Sequence, residues 1–120
     1  HPNLVGATGK IINHPRGLEG LVMPLIGKDF TTLAGPPSFD SCTRDIYPEG
    51  FTLDLPTAIR IALGIASAAE HLHSQRMLHG DLYGHNVLWS PAGESMLGDF
   101  GAATFYPEPS EAFQRIEVRQ

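Results

Sequence analysis

The sequence predicts an α+β fold: short strands first, then a loop-rich stretch, one long helix and a final β-hairpin. Three observations carry that expectation. Residues 55–76 repeat apolar side chains at steps of three and four, the period of a helix with one buried face. Short apolar runs bounded by turn residues recur at 4–8, 21–23, 87–89 and 95–98. Between the two β-rich parts, residues 28–54 collect Pro36, Pro37, Pro48, Gly35 and Gly50 among many Ser, Thr and Asp, a composition of loops with room for one short helix.

Each element has its own cause. Residues 1–27 read as two strands, Leu4-Val5-Gly6-Ala7-Thr8 and a buried Leu21-Val22-Met23, joined by the polar turn Asn13-His14-Pro15-Arg16-Gly17. Gly6-Ala7-Thr8-Gly9-Lys10 is not a phosphate loop, because a Walker motif needs glycine at position 4 and Ser or Thr at position 11, where Leu4 and Ile11 stand. Pro56 suits a helical first turn and Asp54 can serve the orphan N–H groups there. Ala58, Ile61, Ala62, Ile65, Ala69 and Leu72 then form the apolar face, and Ile59 and Leu63 widen it towards burial on more than one side. Val87-Leu88-Trp89 and Ser95-Met96-Leu97-Gly98 flank the turn Ser90-Pro91-Ala92-Gly93-Glu94, which predicts a hairpin whose two free ends, Asn86 and Asp99, meet at one edge.

Composition bounds the function. The chain has 120 residues, 42% of them apolar and 18% charged, as in an ordinary globular domain. A net charge of −5 gives no electrostatic attraction to nucleic acid or to an anionic membrane. No apolar run reaches the length of a membrane span and no basic-then-apolar leader is present. The single cysteine, Cys42, cannot form an internal disulfide and suits a reducing cytoplasm. His71 and His73 are two apart on the helix and point to different faces, which argues against a shared zinc ion.

The chemistry concentrates in Leu78-His79-Gly80-Asp81-Leu82-Tyr83-Gly84-His85-Asn86-Val87-Leu88 and in Gly98-Asp99-Phe100-Gly101. Phosphoryl transfer from Mg-ATP needs divalent cations held and a hydroxyl aimed. Mg²⁺ takes oxygen ligands and retains waters, so one carboxylate (Asp99) and one amide carbonyl (Asn86) suffice beside phosphate oxygens. Asp81 would accept a hydrogen bond from the attacking hydroxyl and take its proton late. His79-Gly80-Asp81-Leu82 through Asn86 resembles the catalytic loop of eukaryotic-type protein kinases, H-R-D-L-x-x-x-N, and Asp99-Phe100-Gly101 resembles their D-F-G. His1-Pro2-Asn3-Leu4-Val5 is similar to the segment leading from that family's regulatory helix into the next strand.

The resemblance implies a partial protein-kinase-like domain over residues 1–120. Residues 1–27 would be the end of the N-lobe sheet and the hinge, and 28–120 the first part of a mainly helical C-lobe. It implies ATP and Mg²⁺ as cofactors, with adenine bound through the Pro24 carbonyl and the Ile26 N–H, Met23 at the back of the pocket and Leu88 beneath the base. It gives His79 a packing role beneath the loop. A protein Ser or Thr hydroxyl is the implied acceptor, and the rest of the domain, outside this chain, is an implied partner.

The H-G-D loop also resembles that of aminoglycoside and choline phosphotransferases, and a pseudokinase scaffold is a third reading. The His-Pro-Asn start and the D-F-G favour the first, and retention of Asp81, Asn86 and Asp99 opposes the third.

Several positions depart from the family. Gly80 replaces the arginine that would pair with a phosphorylated activation loop, and Tyr83 replaces a lysine. Tyr106-Pro107-Glu108-Pro109 is a poor match to the A-P-E motif, and Arg115-Ile116-Glu117-Val118-Arg119 reads as the start of another helix. The glycine-rich loop and strand lysine would lie upstream of His1, so an internal fragment that binds ATP weakly by itself is expected.

Overall fold

The computed structural model describes residues 1–41 and 45–107. Cys42, Glu108-Pro109 and Arg115–Arg119 lie outside the described residues. The described chain is α+β, with strands β1 (Gly9–Ile11), β2 (Gly20–Val22) and β3 (Thr31–Thr32), then helix α1 (Leu55–Ser74), then β4 (Met77–Leu78), β5 (Val87–Trp89), β6 (Ser95–Leu97) and β7 (Thr104–Phe105). These strands form three antiparallel sheets: β1–β2, β3–β5–β6 and β4–β7.

Helix α1 begins where its cap chemistry dictates. Asp54 is extended (φ −65°, ψ 150°) and accepts from the Thr57 N–H at 2.9 Å and from the Thr57 hydroxyl at 2.8 Å. These two bonds, the backbone one first, hold the Asp54 carboxyl below its ordinary value. The helix ends at Ser74, two residues short of the expected limit, because Arg76 takes a left-handed φ of 57° that a right-handed helix cannot contain. Ile61, Ala68 and Leu72 on one face pack with Val87 and Leu97 of the hairpin, forming the core. Burying each large aliphatic side chain there contributes about 1.5–3 kcal/mol. Gly64 lets β6 approach: a Cβ at that position would overlap the Ser95 hydroxyl and stand 2.8 Å from Asn3 Nδ2. Ser95 Oγ in turn donates to the Ile61 carbonyl at 3.1 Å.

The structure corrects four expectations. The strand that ladders with β2 is Gly9–Ile11 rather than Leu4–Thr8, of which Thr8 alone reaches β2, its N–H donating to the Val22 carbonyl at 2.7 Å. Instead Leu4 bridges Leu97 in parallel, with Val5 N–H donating to the Leu97 carbonyl (2.9 Å) and Leu97 N–H to the Asn3 carbonyl (2.8 Å). Gly9–Ile11 forms the ribbon with β2, aided by an ion pair of Lys10 with Glu19 at 2.8 Å. The expected strand at 21–23 is Gly20–Val22 and is not buried; Leu21 is 66% exposed, because among the described residues β2 ladders with β1 alone in a two-stranded ribbon. Residues 28–54 hold β3 rather than a short helix among the described residues. Finally, Leu55, Ile59 and Leu63, one turn apart, are exposed, so among the described residues one side of the helix is covered and this one is not.

Candidate active site

Strand β4 delivers the chain to His79, whose ring is buried beneath the loop. Its Nε2 lies 2.9 Å from the Gly98 carbonyl. A carbonyl only accepts, so Nε2 carries the proton and Nδ1 is left to accept from the Asp81 N–H at 3.4 Å. The ring also meets Phe100 edge-on, centroids 5.1 Å apart. His79 therefore ties the loop to the segment that carries Asp99, a tether in addition to the packing role expected of it.

Gly80 follows with φ +80°, and a Cβ there would overlap the Ala102 carbonyl oxygen and stand 3.1 Å from its carbon. Glycine at the position where the resemblance expects arginine is thus a requirement of the backbone itself. Asp81 comes next, partly buried, and Asn86 closes on it. Asn86 Nδ2 donates to the Asp81 backbone carbonyl at 2.8 Å and to Asp81 Oδ2 at 2.9 Å. Asn86 is buried at the end of a 3₁₀ turn, Gly84–Asn86, that runs directly into β5.

The hairpin returns the second aspartate to the same edge. Gly98 N–H donates to the Asn86 carbonyl at 2.9 Å. Asp99 then adopts a left-handed conformation (φ 54°, ψ 81°), its Oδ1 accepting from the Gly101 N–H at 3.1 Å. That conformation costs a non-glycine residue about 1–2 kcal/mol, and the local side-chain bond offsets part of it. The carboxylate stays open to solvent.

This donor set suits a hard cation. Both amide hydrogens of Asn86 are spent on Asp81, so a cation could meet its carbonyl oxygen, and Asp99 offers an exposed carboxylate. Met23, Pro24 and Ile26 lie just after β2, and no hydrogen bond among the described residues joins them to Asp81, Asn86 or Asp99. The Pro24 carbonyl and Ile26 N–H are likewise without a hydrogen bond among the described residues. Met23 is half-exposed, and Leu88 sits in β5 opposite Thr32 and Met96.

Two further residues, Asp45 and His85, join the loop. From the loop before α1, Asp45 Oδ2 accepts from the Gly84 N–H at 3.0 Å. Its Oδ1 accepts from the His85 N–H at 3.0 Å and from His85 Nδ1 at 2.7 Å. Burial pushes the Asp45 carboxyl up, but the His85 ring, the two N–H groups and the His85 charge together outweigh it and leave the carboxyl below its ordinary value. The other ring nitrogen of His85, Nε2, faces Asp81 Oδ2 at 3.8 Å. No local signal marks an aspartate 40 positions away as the partner of a loop histidine.

The protein kinase domain model matches residues 37–118, more than half of the chain. The chain is 37% identical over 119 residues to cyclin-dependent kinase 11B of Mus musculus, covering 98% of this chain and 14% of that protein. It is 34% identical over 64 residues to the serine/threonine/tyrosine-protein kinase HT1 of Arabidopsis thaliana, 53% of this chain and 16% of that protein. It is 36% identical over 74 residues to the serine/threonine-protein kinase PknF of Mycobacterium tuberculosis, 58% and 15% respectively. The chain therefore spans about a seventh of the length of these relatives.

Proposed function

Because the chain belongs to the protein kinase domain family, we propose that it carries the catalytic loop and cation-binding turn of an ATP-dependent phosphotransferase acting on protein Ser or Thr hydroxyls. The observation that carries this reading is the pair of bonds from the Asn86 amide to Asp81, at the edge where Gly98 N–H meets the Asn86 carbonyl. Asp81 Oδ2 is already engaged by Asn86, which leaves Oδ1 to accept the acceptor's O–H and hold its proton as transfer completes. Asn86 Oδ1 and the Asp99 carboxylate would hold Mg²⁺. When bound, Mg-ATP supplies the phosphoryl group and the positive charge that offsets charge on its oxygens.

Residues 1–27 would form the end of the N-lobe with the hinge, and 28–120 part of the C-lobe. The Pro24 carbonyl and Ile26 N–H, both without partners among the described residues, would meet adenine, with Met23 and Leu88 lining the pocket. Among the described residues no helix is long and apolar enough to cross a membrane, and a cytoplasmic setting, where ATP is available, goes with this reading. A small-molecule kinase is the second reading, favoured by one observation. The backbone at Gly80 demands the glycine of an H-G-D loop. The protein-kinase relatives favour the first.

The test uses the full-length protein. Asp81→Asn is expected to cut turnover about 10²–10⁴-fold while Mg-ATP still binds, and Asp99→Asn to weaken Mg-ATP binding itself. Turnover by Asp81→Asn close to wild type would overturn the assignment.

A further inference from the structure

We propose that His85, clamped by Asp45, is a positioning residue for the Asp81 carboxylate, an inference that rests on the phosphotransferase reading above. Three bonds from one carboxylate fix the loop: Asp45 takes the backbone N–H of Gly84 and of His85 and the ring Nδ1 of His85, at 3.0, 3.0 and 2.7 Å. Asp45 and His85 side chains are each only 15% exposed, so water competes weakly for these bonds. The ring is thereby oriented from behind, and Tyr83 stacks on its face at 5.8 Å with planes 15° apart.

What the oriented ring presents is its Nε2 edge, 3.8 Å from Asp81 Oδ2. That distance is too long for a hydrogen bond and short enough for contact. Asn86 Nδ2 binds the same oxygen at 2.9 Å. Two neighbours thus confine Oδ2, and rotation of the carboxylate is restricted to the setting that turns Oδ1 towards an incoming hydroxyl. The chain of contact runs Asp45, His85, Asp81, from the loop before α1 to the proton acceptor. Contacts at catalytic groups are often loose before substrates bind and tighten in the loaded complex, so a ring held 3.8 Å away is already at the required station.

The clamp also explains why an aspartate in a Pro- and Gly-rich connection is held so firmly. A solvated linker would leave Asp45 in water. Here it anchors a segment that begins one residue after Tyr83 and ends at the proposed cation ligand, Asn86.

The test compares variants of the full-length protein for kcat, for nucleotide affinity by direct binding and for thermal stability. His85→Ala removes the ring and leaves the two backbone bonds of Asp45 in place, so the loop keeps its clamp. We expect kcat to fall about tenfold, with Mg-ATP affinity within about threefold of wild type. Asp45→Asn is expected to lower kcat by a similar factor. Combined with His85→Ala, it should lower kcat by clearly less than the product of the two single effects, because part of the action of Asp45 on Asp81 runs through the ring.

A kcat for His85→Ala within twofold of wild type overturns the inference. So does a parallel loss of kcat, affinity and melting temperature, which would mark a merely structural role, and so does full additivity of the two changes. Asp81→Asn, run alongside, separates the two claims. If it abolishes turnover while His85→Ala does nothing, only the positioning role fails. If it leaves turnover intact, the phosphotransferase reading fails and this inference with it.

Discussion

Replacing Gly80 with alanine tests how closely the loop packs against the turn after Asp99. Two costs add. Alanine at φ +80° bears the left-handed penalty of about 1–2 kcal/mol. Its methyl group would also overlap the Ala102 carbonyl oxygen, with 3.1 Å to the carbonyl carbon and 3.3 Å to Ala102 Cβ. Backbone cannot swing aside as a flexible side chain can, and relieving such overpacking typically costs about 1–3 kcal/mol. A total near 3 kcal/mol lowers the melting temperature of a domain of 150–250 residues by about 6–12 °C.

The assay is differential scanning calorimetry of the full-length protein. Gly6→Ala serves as the control, since a Cβ at Gly6 meets nothing within 4 Å and should shift stability by no more than about 0.5 kcal/mol. The displaced Ala102 follows Asp99 closely in the chain, so Gly80→Ala is also expected to weaken Mg-nucleotide binding. Gly80→Arg would suffer the same collision and could not restore a phosphate-binding arginine without moving the backbone. If Gly80→Ala melts within 1–2 °C of the Gly6→Ala control, the close approach of the two loops is wrong.

Three further outcomes follow from other parts of the chain. Gly64→Ala should destabilise by about 1–3 kcal/mol, because its methyl group would meet the Ser95 hydroxyl and Asn3 Nδ2; urea unfolding that matches wild type would contradict the helix–hairpin contact. Asn86→Ala removes both amide bonds to Asp81 and one proposed cation ligand, so kcat and Mg-ATP affinity should fall together, read by turnover and by direct nucleotide titration. The Asp54 carboxyl lies below its ordinary value of 3.8, so the unfolded chain binds more protons there. Its stabilisation is present above about pH 4 and lost as pH falls through the lower folded value. Asp54→Ala should therefore flatten the acid limb of the stability–pH curve, and an unchanged limb would contradict the cap.

Much of the fold was legible because it is local. Pro56, Asp54 and the three–four spacing of Ile61, Ile65 and Leu72 mark α1, and the Pro91-to-Gly93 turn marks the β5–β6 hairpin that returns Gly98 to Asn86. What stayed illegible depends on distant partners. Leu4 follows Leu97 rather than Leu21, a choice made by the edge of β6 and not by any feature of residues 4–8. Strands β3, β4 and β7 have two residues each, too short to show a period. Ile59 and Leu63 look like core because apolar spacing records that a face is apolar and not whether a partner covers it.

The candidate site divides the same way. Asp81, Asn86 and Asp99 stand in short motifs with a chemical meaning at fixed spacing. Asp45 reaches His85 across 40 positions and leaves no trace in the pattern. Gly80 reads as a missing arginine in sequence, and only the backbone angle and the nearness of Ala102 turn that absence into a requirement.

The most direct measurement is a crystal structure of the full-length protein with Mg²⁺ and a non-hydrolysable ATP analogue. One cation is expected, bound by both Asn86 Oδ1 and the Asp99 carboxylate, with Asp81 Oδ1 open beside the γ-phosphate. A nucleotide-bound cation that touches neither side chain, or an Asp81 turned away from the phosphate, would contradict this assignment.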